Sequence, residues 1–278
     1  MLKSRLPLFV VFAPLLLLTA ASSSVQAQGA EPPMPKTLPV PTTYEGLFGE
    51  RDLRARGALQ YMQCHQETVQ AARSGALGDM SPSWNVACVP QGNEWRGALV
   101  EFTQQPSGSA NVKVQRQWAL RGSGMAVRER IDTQAVAAVA RAMARGLAAP
   151  RPGRGVADLM PVALLYEGYS EVWFLPVLGA SSRPVVGGDS LIQMKADGSA
   201  ELGHASRTPR VRTLQAPVAG APWTIVSSED RVPLISELIA ARRGVAVAGE
   251  VRVRTKQFES TLRRGGQWTH HALPGVSP

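Results

Sequence analysis

The sequence predicts an α+β fold, with two or three helices mainly in the N-terminal half and a C-terminal half rich in antiparallel β-sheet. Two observations carry this prediction. Apolar residues recur at helical spacing in two segments before residue 150, whereas the chain beyond it consists mainly of short runs rich in valine, aromatic and turn residues. With 44% hydrophobic residues in a chain of 278, there are enough apolar side chains to build a core.

The first 27 residues have the layout of a secretory signal peptide. Lys3 and Arg5 precede an apolar stretch at 6–21, and Val25 and Ala27 stand at the small positions that a signal peptidase recognises. A membrane anchor is the alternative, but the apolar stretch is shorter than the ~20 residues that cross a bilayer. We therefore expect cleavage after Ala27, no stable membrane insertion afterwards, and a periplasmic or secreted mature protein.

The N-terminal half of the mature chain begins with a tether and then folds. Residues 28–43 carry five prolines, which predicts an extended segment. Apolar residues between 50 and 73 fall along one face and predict a helix. Valine, phenylalanine and tryptophan between 94 and 129 predict strands, and Asp132 is a suitable N-cap for a second helix. We assign a mixed α/β subdomain to residues 44–149.

The C-terminal half is predicted to be a β-rich subdomain over residues 156–278. A hinge of proline, glycine and arginine at 150–155 marks its start. Near its end, Val251 and Val253 alternate with arginines, which predicts a half-buried strand within 245–256, and a hairpin follows around Gly265-Gly266. The segment from Leu234 to Ala241 has no periodicity that decides between helix and loop.

The best-defined hairpin turns at Gly198. A three-residue loop with Gly198 in the left-handed conformation would pair Met194 with Ala200 and give the hairpin one apolar face. In that register His204 lies opposite Ser190. We expect this form rather than a two-residue loop, which would mix polar and apolar residues on both faces.

Two cysteines, Cys64 and Cys88, remain after the signal peptide. An exported protein meets an oxidising compartment, so we predict that they form a disulfide. Metal or haem attachment is the alternative, but it needs a second nearby thiol or a Cys-x-x-Cys-His run, which the sequence lacks.

The positive charge is concentrated at the C-terminal end. The whole chain has a net charge of +9, and residues 206–278 carry 11 basic and 5 acidic side chains. Clustered cations attract anionic partners, so we consider anionic envelope components as ligands of four arginines, Arg252, Arg254, Arg263 and Arg264. Codon bias is the alternative explanation and the one we favour, because arginine outnumbers lysine 25 to 5. An exported chain without ordered aromatic and basic stacking residues is not expected to bind nucleic acid.

Several short motifs recur between Tyr166 and Pro209: Pro176 at the end of a strand, Gly187-Gly188-Asp189, Asp197-Gly198, and His204 followed by Ser206. This stretch resembles a segment of uncharacterised exported bacterial proteins. The resemblance implies an exported β-rich domain and carries no activity.

Candidate catalytic residues are few. In the expected register His204 lies near Ser190, Asp189 and Ser206. A serine, a histidine and a carboxylate can activate a nucleophile when their geometry is right. We favour the alternative, in which these residues form a polar rim at the open end of the hairpin. Glu167 and Glu171 share a face at spacing i, i+4, either as a paired acid and base or, as we expect, as solvated side chains.

The four histidines, His65, His204, His270 and His271, lack zinc-site spacing, and the tandem pair would point to opposite faces of a strand. We expect neither a metal nor a cofactor.

These observations favour a non-catalytic envelope or secreted protein that binds or interacts through its sheets. Two alternatives stay open: a hydrolase of unrecognised type that uses His204, and a binder of anionic surface polymers that uses the basic C-terminal strands.

Overall fold

The computed structural model describes residues 43–74, 84–104, 110–120, 126–127, 132–148, 159–176, 183–206 and 210–274. Its helices within these ranges are α1 (Tyr44–Arg73), α2 (Thr133–Ala148) and α3 (Ile235–Ala248). Its strands in the N-terminal half are β1 (Trp84–Gln91), β2 (Glu94–Gln104), β3 (Ala110–Leu120) and β4 (Ala126–Val127). Those that follow α2 are β5 (Leu159–Leu165), β6 (Tyr169–Pro176), β7 (Val185–Val186), β8 (Ser190–Lys195), β9 (Glu201–Ser206), β10 (Arg212–Thr213), β11 (Trp223–Val226), β12 (Glu250–Arg254), β13 (Phe258–Arg263) and β14 (Trp268–Ala272). The α+β prediction is confirmed. The predicted signal peptide, the tether up to residue 42 and the hinge at 150–155 lie outside the described residues.

Helix α1 begins at Tyr44 rather than at Glu50. The Thr43 side chain accepts a hydrogen bond from the Gly46 amide at 3.2 Å, which satisfies one of the free N–H groups of the first turn. Tyr44 and Phe48 are buried one turn apart, so tertiary packing stabilises the turns that local periodicity missed.

The first sheet has the strand order β1-β2-β3-β4 and is antiparallel. The predicted disulfide between Cys64 of α1 and Cys88 of β1 is confirmed and joins the helix to this sheet. The helix lies close to β2 as well: a Cβ at Gly97 would stand 1.9 Å from the Thr68 hydroxyl, so a glycine is required there.

Helix α2 starts directly after Asp132, as predicted. The Asp132 carboxylate accepts hydrogen bonds from the backbone amides of Gln134 at 2.9 Å and Ala135 at 3.2 Å. The buried face of α2, which includes Val136, Val139 and Met143, packs between the first sheet and the second sheet. The second sheet has the order β5-β6-β8-β9 and is antiparallel.

The predicted three-residue hairpin between β8 and β9 is wrong. Met194 pairs with Glu201, Ser190 pairs with Ser206, and a bulge shifts the register between them. The turn lies against α2, because a Cβ at Gly198 would stand 2.5 Å from the Ala138 carbonyl oxygen. Gly198 is left-handed, as expected, with φ +69. We attribute the length and register of this loop to the contact with α2, which pairing rules for a single hairpin do not include.

The third sheet has the order β11-β12-β13-β14. Strands β11 and β12 are parallel, and α3 is the crossover between them. The helix therefore occupies the undecided segment and extends to Ala248, so the predicted strand within 245–256 begins only at Glu250. The hairpin around Gly265-Gly266 is confirmed by β13 and β14.

Two apolar clusters hold these layers together. The larger one joins all three helices to the first and second sheets. The smaller one lies between α3 and the third sheet and includes Trp223, Ile225, Val251 and Val253. Strands β7 and β10 form a separate antiparallel pair, and β7 packs against α3. No helix among the described residues is long and apolar enough to cross a membrane.

Candidate functional site: a charged cleft beside helix α1

A cleft of about 490 Å³ opens between helix α1, the second sheet and the segment before α3. This volume falls within the ~300–1,000 Å³ range of ligand pockets. We call it the α1 cleft and define it by its lining residues: Leu47, Glu50, Arg51 and Arg54 of α1; Glu171, Trp173, Leu191 and Gln193 of the second sheet; and Glu229, Asp230, Arg231 and Val232.

Strands β6 and β8 form the sheet side of the α1 cleft. Glu171 and Trp173 are two residues apart on β6, so their side chains point to the same face. Their partners across the ladder are Gln193 and Leu191, which therefore point to that face too. The pleat thus places one polar and one apolar cross-strand pair at the cleft.

The central interaction is an ion pair between Arg54 and Glu171. Arg54 Nε and Nη2 donate to the two carboxylate oxygens of Glu171 at 2.9 and 3.0 Å. Glu171 is fully buried, and its Oε2 also accepts from Trp173 Nε1 at 2.8 Å and from Tyr166 at 3.5 Å. A buried carboxylate needs such partners because burial without them is costly.

The electrostatics follow from this pair. Burial lowers the pKa of Arg54, but the hydrogen bonds and charge of Glu171 outweigh burial and raise it above its ordinary value. Burial raises the pKa of Tyr166, and the charge of Glu171 raises it further. Arg54 therefore stays charged and Tyr166 stays neutral at every physiological pH.

Glu50 is the second acidic partner of Arg54. It precedes Arg54 by four residues on α1, and the two side chains approach to 3.3 Å. The Glu50 side chain remains 22% exposed, against 1% for Glu171, so Glu50 presents a carboxylate to whatever enters the cleft.

The wall opposite α1 is the segment 227–234, and one buried carboxylate holds both of its ends. Glu237 Oε2 accepts from the Ser227 hydroxyl at 2.6 Å and from the Leu234 amide at 3.0 Å. Its other oxygen accepts from Arg212 at 2.7 Å. Because Glu237 lies in the first turn of α3, the helix dipole also favours its charge. The segment is therefore anchored at its base.

Asp189 connects β8 to the start of α3. It is fully buried and accepts from the Ser236 amide at 2.9 Å and from the Ser236 hydroxyl, which in turn accepts from the Gly187 amide at 2.9 Å. Burial raises the pKa of Asp189 to about 6, although the bonds from Ser236 lower it. This network has a structural role in joining the second sheet to α3.

The structure does not bring the suspected catalytic group together. His204 pairs across the ladder with Ile192, and its side chain is 79% exposed with Glu201 as its partner at 3.2 Å. Asp189 is buried on Ser236, and Ser190 lies opposite Ser206 rather than His204. His204 is therefore an exposed imidazole with a surface glutamate as its partner, and among the described residues it is not held against Ser190 or Asp189.

The remaining histidines have separate environments. His270 Nδ1 lies 2.8 Å from the Ser260 hydroxyl, which is 2.7 Å from the hydroxyl of Tyr44. This chain joins α1 to the third sheet, and burial lowers the pKa of His270. The neighbouring His271 is exposed, as the alternation of a strand requires. Burial lowers the pKa of His65 to about 4.

The four arginines of the predicted anion site lie on and beside the third sheet. Arg252 and Arg254 are exposed on the outer face of β12, Arg263 is exposed at the end of β13, and Arg264 is exposed in the turn that follows. Glu250 pairs with Arg252 at 2.8 Å and with Arg263 at 3.1 Å. One carboxylate thus offsets part of the charge of this face.

The α1 cleft was missed at the level of sequence. Glu171 was expected to be solvated or paired with Glu167, but Glu167 is exposed in a turn whereas Glu171 is buried against Arg54. The partners are 117 residues apart, so no local spacing reveals them. The available signal was a glutamate inside a run of Tyr, Val, Trp and Phe, where a charged side chain needs a buried partner.

The chain was compared with known families, curated proteins and solved structures. No family model, curated protein or solved structure matches it. The function of this chain is therefore inferred from the site itself.

Proposed function

We propose that this chain is an exported, non-catalytic binding protein of the bacterial envelope and that the α1 cleft is its ligand site. The observation that carries the proposal is a cavity of about 490 Å³ whose central carboxylate, Glu171, is already saturated by Arg54, Trp173 and Tyr166. A carboxylate that accepts from all of these donors has a fixed position. It holds the cleft in shape, and a preformed cavity with a few fixed polar groups is the common form of a binding site.

Export is supported by the N-terminal sequence and by the cysteines. Residues 1–27 have the three parts of a signal peptide. The disulfide between Cys64 and Cys88 is of the kind that forms and persists in oxidising compartments. Both features are expected of a periplasmic or secreted protein.

Export is tested by expressing the full chain in a Gram-negative host and measuring the intact mass of the product in each cell fraction. We expect a chain that begins at Gln28, in the periplasm or the medium. The control is Ala27→Arg, which removes the small residue that signal peptidase needs and should leave the chain uncut. Uncut wild-type chain in the cytoplasm would contradict the proposal.

Binding in the cleft is tested by a thermal-shift screen of small polar compounds. A ligand at 100 times its Kd stabilises the protein by about 2.7 kcal/mol, which raises the Tm by roughly 5–10 °C for a chain of this size. Gln193→Trp fills the cleft and should abolish the shift, whereas Thr269→Trp on the exposed outer face of the third sheet should keep it. A screen without any shift that depends on Gln193 would refute the cleft as a ligand site.

A further inference from the structure

The charges that line the α1 cleft compensate one another. Its described lining contains three arginines and four carboxylates, and one of the four, Asp230, is paired with Lys256. Arg54 is shared between Glu171 and Glu50. With Lys256 counted, the cleft has four positive and four negative side chains, so it has no net charge that would favour an ion of either sign.

The same ion pairs present donors and acceptors side by side. Among the described residues, Arg54 makes four hydrogen bonds to Glu171 and Glu50, and a guanidinium carries five N–H groups. The Glu50 carboxylate is partly exposed and has acceptor sites left, and Gln193 adds an amide that both donates and accepts. A hydroxyl group donates and accepts at once, so neighbouring hydroxyls satisfy this arrangement without breaking an ion pair.

Apolar side chains complete the lining. Leu47, Leu191 and Val232 come from the helix, the sheet and the segment before α3, so apolar surface alternates with the charged groups around the cleft. A sugar ring has the matching character, since its C–H groups need apolar contact and its hydroxyls need hydrogen bonds.

From the compensated charge, the paired donors and acceptors and this apolar surface, we infer that the α1 cleft binds a neutral saccharide. The inference rests on the proposed function, because it names the ligand class of the same site. It also predicts a direct contact between Glu50 and the saccharide, since Glu50 is the partly exposed carboxylate beside the Arg54 guanidinium.

A peptide is the neutral ligand that competes with a saccharide. Extended peptides are commonly held by main-chain hydrogen bonds to a free strand edge. The strands at the cleft, β6 and β8, are both interior strands of the second sheet, with β5 and β9 outside them. Their backbone groups are engaged on both sides, so the cleft offers side chains rather than a strand edge.

The test is isothermal titration of the full chain, purified as the host processes it. The neutral probes are glucose, N-acetylglucosamine and their di- and trisaccharides. Glucuronic acid and glucosamine serve as the charged analogues of the same ring, and tetraglycine serves as the peptide. We expect at least one neutral saccharide to bind at least tenfold more tightly than both charged sugars and tetraglycine.

Two variants locate the binding. Glu50→Ala removes one charged acceptor and should weaken the saccharide about tenfold or more. Glu259→Ala removes a carboxylate from β13, outside the cleft, and should leave the affinity unchanged. Gln193→Trp should abolish binding.

Four results would overturn the inference: a charged sugar that binds best, tetraglycine that binds best, saccharide binding that survives Gln193→Trp, or no binding by any probe. These results leave the proposed function standing if the thermal-shift screen still finds a compound whose effect depends on Gln193. Conversely, the proposed function fails when that screen finds none, whatever the sugars do elsewhere on the protein.

Discussion

Arg54 and Glu171 form the buried ion pair of the α1 cleft, and replacing Arg54 with Met tests how strongly the fold depends on it. The Arg54 side chain is 14% exposed and that of Glu171 is 1% exposed. Met keeps most of the apolar stem but leaves the Glu171 carboxylate buried without its cation. Removing one partner of a buried pair costs about 3–5 kcal/mol. For a chain of this size, that lowers the Tm by roughly 6–20 °C.

The measurement is urea unfolding at pH 7, followed by circular dichroism. Arg263→Met is the matched control, because Arg263 is 65% exposed and its pair with Glu250 should be worth less than about 1 kcal/mol. A double variant, Arg54→Met with Glu171→Gln, removes the charge as well as its partner. It should be more stable than Arg54→Met alone by at least about 1 kcal/mol, because no unpaired charge stays buried.

An equal loss of stability in Arg54→Met and Arg263→Met would refute this reasoning. So would a double variant that is no more stable than the single one, since the cost would then come from lost packing rather than from an uncompensated carboxylate. Either outcome would also remove the argument that Glu171 holds the cleft in shape.

Three further predictions concern stability elsewhere in the chain. Replacing Cys64 and Cys88 with Ala should lower the free energy of unfolding by about 2–5 kcal/mol in urea titrations, and a smaller loss than the ~2 kcal/mol lower limit would contradict the role of this link between α1 and β1. Gly198→Ala should cost roughly 1–3 kcal/mol, because a Cβ would meet the Ala138 carbonyl oxygen at 2.5 Å and φ is +69; an unchanged Tm would show that the turn moves freely. The pKa of Asp189 is raised to about 6, so its contribution to stability is fully present below its unfolded pKa near 4 and is lost as the pH rises towards 6. Asp189→Asn should abolish this decline, which is about 3 kcal/mol, and parallel pH profiles of wild type and variant would contradict it.

Local chemistry was sufficient to predict several elements from the sequence. Asp132 caps α2, the glycine pair at 265–266 turns the last hairpin, and Cys64 finds Cys88. Each of these features depends on residues within a turn of one another or on a single pair of cysteines. The α+β class followed from the same local patterns because periodicity reflects which side of an element is buried.

Features that depend on distant contacts were not predicted. The register of the β8–β9 hairpin differs from the prediction because Gly198 lies against α2. Helix α3 extends through Val245 because this stretch belongs to the crossover that connects the parallel strands β11 and β12. The α1 cleft belongs to the same class, since Arg54 and Glu171 are far apart in sequence. Pattern rules compare neighbours along the chain, whereas these contacts are set by how whole elements pack.

Helix α1 is the element through which these distant contacts act on the cleft. Asp52 accepts from Arg242 of α3 and from Trp268 of β14, Arg54 binds Glu171 of the second sheet, and Cys64 is bonded to the first sheet. One helix is therefore tied to every large sheet. Charged and covalent contacts of this kind should resist the small rotations that apolar packing alone would allow, so we expect residues 47–54 to keep their position relative to β6 and β8. A cleft built this way is preorganised, and a preorganised cleft loses less conformational entropy when its ligand binds.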